Sequence, residues 1–187
     1  GDNSASGRKR QRESFQRYDL CERSEQLYPH QLSGGMIRRA LVATAAQQDV
    51  ELIIADEPTP GLDIDLAMKT LKYFREFADK GKAVILITHD MDLAFHIADK
   101  IAVFYAGTTV EIAPISDFHT GIEALRHPYT KALFNALPQN GFHPINGCQP
   151  YSKDLPKGCL FAPRCELADN SCEEKIPMHK LRDGMVR

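Results

Sequence analysis

Two adjacent carboxylates, Asp56 and Glu57, directly follow the apolar run from Leu52 to Ala55. Such a run favours a buried β-strand, and ligands of open α/β sheets bind at the edge where the strands end. One carboxylate there could hold Mg²⁺, directly or through water, while its neighbour polarises an attacking water. The pair therefore indicates a hydrolytic nucleotide site, although a strand that ends in a solvated Asp-Glu-Pro turn would have the same local sequence.

The segment Leu32-Ser33-Gly34-Gly35 is a second candidate site. Ser33 is a natural N-cap for a helix, and the two glycines let another molecule approach the backbone closely. The exposed N–H groups and the positive end of the helix dipole then favour an anion. Taken alone, the segment is equally typical of an ordinary helix cap.

Strands and helices alternate in the region that must position these residues. Strands are predicted at 52–55, 83–88 and 101–105, and helices at 64–80 and 90–99. Because continuous apolar strands separated by helices form parallel sheets covered on both faces, the pattern predicts an α/β fold with a parallel sheet and flanking helices.

The alternation of predicted strands and helices ends at Gly107. An antiparallel strand is predicted at Thr109–Ala113 and one or two helices between residues 115 and 137. Six of the eleven prolines lie beyond Leu137, which argues against a regular helical or sheet domain there. A tail with few large apolar groups needs a stabilising cross-link or metal site, and we expect its cysteines to provide one. They are Cys148, Cys159, Cys165 and Cys172.

Composition narrows the functional class. The 187 residues carry a net charge of −2, which argues against nonspecific nucleic-acid binding. No apolar run, Ala83–Ile87 included, approaches the ~20 residues of a membrane-spanning helix. The first residue is Gly rather than Met, so truncation or processing upstream is expected.

Four segments together resemble the ABC ATPases. Residues 28–36, 52–58, 59–63 and 86–90 match the signature, Walker B, D-loop and H-loop segments of that family in order and approximate spacing. The resemblance covers residues 25–185. No single segment would be specific, but their ordered combination is.

The resemblance implies a composite ATP site between two subunits. The signature residues would contact the γ-phosphate of ATP held by the opposing subunit; they are Ser33, Gly34 and Gly35, with Gln31 in support. Asp56 would organise Mg²⁺ and Glu57 would be the general base for water. His89 would be the switch histidine, and Asp63 would lie at the subunit interface.

Several features depart from the family pattern. Met36 is followed by Ile37-Arg38-Arg39, where relatives usually have Arg-Gln-Arg, and Pro60-Gly61 replaces the more usual Thr-Ala or Ser-Gly. The sequence also lacks the Gly-x-x-x-x-Gly-Lys-[Ser/Thr] loop that cradles the β- and γ-phosphates. Gly81-Lys82 is followed by Ala83 and does not replace it. We therefore expect the chain alone to be inactive.

The C-terminal region points to one branch of the family. His127–Leu133 resembles a segment of the oligopeptide, dipeptide and nickel transporters, and Leu155–Cys159 with Pro163–Cys165 strengthens that assignment. Cys159, Cys165 and Cys172 have the spacing C-x₅-C-x₆-C, which differs from that of common zinc sites. Clustered thiolates nevertheless suit an iron–sulfur cluster or zinc. The alternative is that the three cysteines are free buried thiols. The resemblance implies a [4Fe–4S] cluster whose fourth cysteine follows a Val-Arg pair. That ligand would lie beyond Arg187, or Cys148 would supply it.

These observations predict three parts: a remnant of a helical subdomain with a flexible N-terminus (1–28), an ABC ATPase core (29–137) and a Pro- and Cys-rich extension (138–187). The full subunit would hydrolyse ATP as a homo- or heterodimer at the cytoplasmic face of the membrane, driving a permease served by a substrate-binding protein. Peptides or nickel complexes would be imported. Two alternatives are an iron–sulfur or zinc module on a dead ATPase scaffold and a soluble, non-transport ABC ATPase.

Overall fold

The computed structural model describes residues 5–46 and 50–187, which group into two compact units that divide after Ile97. Part of the expected flexible N-terminus, residues 1–4, lies outside the described residues. The three-part division made from the sequence stays a prediction. No helix within the described ranges has the length and apolar character to span a membrane.

The first unit contains one parallel strand pair. Strands β1 and β2 run side by side, with Leu52 opposite Ala83 and Asp56 opposite Ile87. This confirms the parallel arrangement that the sequence predicted for these two strands. The elements of the unit, apart from short 3₁₀ turns, are α1 Ala5–Arg17, α2 Gly34–Ala46, β1 Leu52–Asp56, α3 Ile64–Asp79, β2 Ala83–Ile87 and α4 Met91–Ile97.

The two faces of this strand pair differ. Ile53 and Ala55 belong to a buried cluster built largely by α3 and completed by Tyr18, Val42 and Ala43. Along β1 burial alternates residue by residue, so that the neighbouring side chains point away from this core. The expectation of a sheet covered on both faces is therefore wrong for the described residues. The exposed apolar residues are Leu52, Ile54, Ile85 and Ile87.

The second unit is built on an antiparallel sheet of order β3-β4-β6-β5. The strand expected at 101–105 was predicted to continue the parallel sheet, and this is wrong, because it pairs with β4. Ala106 and Gly107 both have positive φ, 47° and 81°, and form a two-residue hairpin turn that folds the chain straight back. The elements are β3 Lys100–Tyr105, β4 Thr108–Pro114, α5 Ile115–Thr120, α6 Pro128–Asn135, β5 His179–Leu181 and β6 Gly184–Val186.

The tail is held by hydrogen bonds and aromatic packing. Strand β6 pairs with β4, so the end of the chain belongs to the sheet. Arg164 donates from Nε to the Asn146 carbonyl at 2.8 Å and from Nη1 to the Tyr105 hydroxyl at 3.2 Å. Its guanidinium also lies over the rings of Tyr105 and Phe161. The cysteines, expected to staple the tail, are free thiols.

A buried ionic group ties β4 to the segment before α6. The Glu111 carboxylate is fully buried and accepts hydrogen bonds from the backbone N–H groups of Arg126 and His127. The Arg126 guanidinium lies 3.2 Å from Glu111 and 2.7 Å from Asp117. Because each charge has a partner, burial does not leave an isolated ion in this unit.

Candidate functional site

Glu57 has a backbone conformation that is unusual for a residue other than glycine. It follows the last residue of β1 with a φ of +45°, and its N–H donates to the Ile87 carbonyl of β2 at 2.9 Å. Non-glycine residues in the left-handed region are uncommon, and such backbone strain clusters at functional sites. This conformation was not predicted from the sequence. Pro58 favours an extended conformation at the preceding residue and does not indicate a positive φ there.

The Glu57 carboxylate and the His89 imidazole form a hydrogen-bonded pair. Glu57 Oε1 lies 2.7 Å from His89 Nδ1. The strand register explains the meeting, because Asp56 is opposite Ile87 and each strand delivers a catalytic candidate just beyond its end. The hydrogen bond and the charge of Glu57 raise the pKa of His89. Two residues that are 32 positions apart in sequence are thus joined at one sheet edge.

The other carboxylate oxygen of Glu57 is left for a different partner. Oε2 is buried and makes no hydrogen bond within the protein. A buried carboxylate oxygen without a donor is unfavourable unless water or a ligand supplies one. Asp56, one residue earlier, has an exposed side chain at the end of β1. Asp56 is thus exposed, whereas one oxygen of Glu57 is buried, and the two carboxylates could serve as the Mg²⁺ ligand and the water-activating base expected from the sequence.

The signature segment begins α2 as the sequence predicted. Ser33 Oγ accepts a hydrogen bond from the Met36 N–H at 3.2 Å, which confirms the N-cap. A Cβ at Gly34 would meet nothing within 4 Å, so the backbone there is open to a ligand. A Cβ at Gly35 would instead lie 3.2 Å from Leu62 and 3.3 Å from Leu66. Gly34 thus gives access, whereas Gly35 permits close packing against the start of α3.

Gln31 and Asp63 order the backbone near the candidate site. Gln31 Oε1 accepts from the Tyr28 N–H at 2.9 Å and closes the turn that leads to the signature helix. Asp63 Oδ1 accepts from the Leu66 N–H at 2.9 Å and caps α3. This cap was not predicted from the sequence, although an Asp before a helical run is a standard start signal. The interface role of Asp63 stays a prediction.

A cleft of about 280 Å³ lies between the turn after β1 and the end of β2. His89 opens onto it, and the exposed fraction of its side chain is 79%. The cleft therefore connects the D-loop and H-loop segments of the sequence analysis. Its lining residues include Thr59, Pro60, Gly61, Leu62, Thr88 and Asp90.

The cysteines do not form a metal centre in the part of the chain that the structure describes. Cys159, Cys165 and Cys172 are partly buried and Cys148 is exposed, but no three His, Cys, Asp or Glu residues are arranged to hold a metal ion. Burial raises the pKa of the Cys165 thiol, and the nearby Cys159 and Cys172 raise it further. The described residues therefore do not support the [4Fe–4S] cluster implied by the resemblance.

Comparison with known proteins shows what this chain is similar to. Residues 110–172 match the family model for the C-terminal region of oligopeptide/dipeptide transporters. The dipeptide transport ATP-binding protein DppD of Escherichia coli is 41% identical over 165 residues, which are 84% of this chain and 50% of that protein. The oligopeptide transport ATP-binding protein AppD of Bacillus subtilis is 38% identical over 83% of this chain and 49% of its own length.

The chain is a relative of the peptide-transporter ATP-binding proteins. It spans about half the length of the relatives it matches and corresponds to their C-terminal half. A solved ATP-binding cassette, a dimer in a post-hydrolysis state bound to ADP and Pi, shares the fold with a TM-score of 0.56. That match is 30% identical and covers 62% of this chain and 50% of the cassette. The resemblance to ABC transporter subunits stated from the sequence is confirmed.

Proposed function

We propose that this chain supplies the hydrolytic and signature elements of an ATP-binding subunit that powers peptide import. Glu57 is the general base, Asp56 the Mg²⁺ ligand and His89 the residue that holds the base in place. The names of the relatives support peptides as the transported class; nothing in the site supports nickel. The subunit works as a dimer that binds membrane permease subunits at the cytoplasmic face of the membrane.

The Glu57–His89 pair carries this proposal. The 2.7 Å hydrogen bond fixes Oε1, and Oε2, which has no hydrogen-bond partner within the described part of the chain, accepts the proton of a water that reaches it when ATP is bound. Bound ATP with Mg²⁺ would supply the phosphoanhydride bond that is cleaved. Asp56 offers an exposed oxygen donor for the metal, and the open backbone at Gly34 offers N–H groups to a phosphate of the opposing site.

The chain alone should not hydrolyse ATP. Its sequence has no Gly-x-x-x-x-Gly-Lys-[Ser/Thr] loop, which is the segment that binds the β- and γ-phosphates. The residues that would polarise water therefore lack a bound substrate in the right position. We expect negligible phosphate release when the purified chain is incubated with ATP and Mg²⁺. Robust, Mg²⁺-dependent turnover by the chain would overturn this part of the proposal.

A hybrid subunit tests the assignment of the base. This chain replaces the matching half of the E. coli dipeptide transport ATP-binding protein, and ATP hydrolysis is measured with Mg²⁺. Glu57→Gln should lower kcat by ~10²–10⁴-fold, since removal of a general base has effects of that size. Glu51→Gln, which changes an exposed carboxylate just before the same strand, is the control and should leave kcat unchanged. An active Glu57→Gln hybrid would remove Glu57 from the mechanism.

A further inference from the structure

The turn that follows the two carboxylates has a defined geometry. The Leu62 N–H donates to the Thr59 carbonyl at 3.1 Å, and Gly61 between them has a φ of +74°. Pro at the first central position and a positive φ at the second identify a type II turn, because proline cannot adopt the positive φ of the mirror-image turns. The Pro60-Gly61 pair therefore matches the conformation that the chain adopts here.

Arg38 of the signature helix contacts this turn. Its Nη1 donates to the Pro60 carbonyl, and the same nitrogen lies 3.8 Å from the position of a Cβ on Gly61. A guanidinium donor gives a stronger hydrogen bond than a neutral one. Arg38 and Pro60 belong to the two short segments in which this sequence departs from the usual family pattern. The structure brings those two departures into direct contact.

A second contact joins the same two segments. Gly35, one turn earlier on α2, packs against Leu62 and Leu66 so closely that a Cβ would lie 3.2 to 3.3 Å from their methyl groups. The signature helix thus touches the turn through its backbone at one point and through Arg38 at another. Two contacts fix both the distance and the orientation between the helix and the turn.

We infer that Arg38 is a positioning residue that locks the signature helix to the turn after Glu57. Pro60 lies three residues after Glu57, so this contact connects the signature helix to the segment that carries the base. Through this link, binding of a phosphate at the signature segment would affect the position of the carboxylate pair in the same chain. This inference rests on the proposed function for its role in catalysis, but the contact itself is tested without turnover.

The first experiment uses the purified chain. Amide hydrogen exchange at Leu62, whose N–H closes the turn, should be about tenfold faster in Arg38→Gln, which cannot reproduce the charged hydrogen bond. Arg38→Lys, which keeps a cationic donor, should recover most of the protection. Arg23→Gln alters an exposed arginine of the same unit and should match the parent chain. Unchanged Leu62 exchange in Arg38→Gln would overturn the inference.

The second experiment separates positioning from folding. In the hybrid subunit, Arg38→Gln should lower kcat about tenfold with little change in the KM for ATP, and Arg38→Lys should restore it. Equal losses in kcat for Arg38→Gln and Arg38→Lys with normal Leu62 exchange would contradict the positioning role. If the parent hybrid shows no turnover, the proposed function fails, while Leu62 exchange in the chain alone still decides whether Arg38 holds the turn.

Discussion

The two units of the molecule differ in how one carboxylate of each is paired. In the C-terminal unit even the Glu111 carboxylate is fully buried, and Arg126 and two backbone N–H groups satisfy it. In the N-terminal unit Glu57 has one buried oxygen without a hydrogen-bond partner among the described residues. The buried carboxylate of the C-terminal unit is thus a paired, stabilising group, whereas the carboxylate with an unpaired buried oxygen belongs to the candidate site.

The largest expected effect comes from breaking the ionic group of the C-terminal unit. Glu111→Ala leaves Asp117 as the only remaining charged partner of Arg126 among the described residues and removes the acceptor for two backbone N–H groups, so the unit should lose about 3–5 kcal/mol. Hydrogen exchange of the slowest β4 amides measures this loss. Glu123→Ala, at an exposed carboxylate of the same unit, should change stability by less than ~0.5 kcal/mol. A similar effect for both variants would contradict the importance of the buried group.

His127 gives the same unit a dependence on pH. Its imidazole is buried, Nδ1 accepts from the Tyr129 N–H at 3.0 Å, and burial lowers its pKa to about 4. Because the unfolded chain binds a proton near the ordinary pKa of ~6.5, stability should fall as pH drops from there towards 4, by roughly 3 kcal/mol in total.

His127→Asn tests this dependence, because asparagine is also a good N-cap but does not titrate in this range. The difference in the free energy of unfolding between the two chains should shift in favour of the variant as pH falls from 7 to 4. Urea denaturation at several pH values measures it. Parallel pH profiles would show that His127 does not set the acid sensitivity.

A third comparison sets the two faces of β1 against each other. Ile53 is 7% exposed and packs in the core, whereas Ile54 next to it is 61% exposed. Ile53→Val should cost about 0.5–1.5 kcal/mol because it removes a buried methylene group, and Ile54→Val should cost close to zero. Equal costs in urea denaturation would mean that the exposed face of the strand pair is covered in solution.

How far the sequence could predict this molecule depends on whether a feature is local. The Ser33 cap and the parallel pairing of β1 with β2 follow from short patterns, and both are found. The partner of β3 was predicted wrongly, because the sequence of an apolar strand does not specify which strand pairs with it. The Ala106-Gly107 turn after β3 was the stronger indication, since it favours an antiparallel hairpin with β4. The contact of Arg38 with Pro60 depends on two segments that only the tertiary fold brings together.

The smallest expected effect is a shift in the titration of His89. The hydrogen bond to Glu57 raises the pKa of this imidazole above the ordinary value of ~6.5, so its NMR titration midpoint should lie higher than that. A raised folded pKa means that the pair stabilises the site at low pH and that this contribution is lost as pH rises through the folded pKa. Glu57→Gln removes the negative charge and should lower the midpoint, whereas Glu51→Gln should not. An unchanged midpoint in Glu57→Gln would mean that the pair does not persist in solution, and Glu57 would then have no fixed orientation towards water.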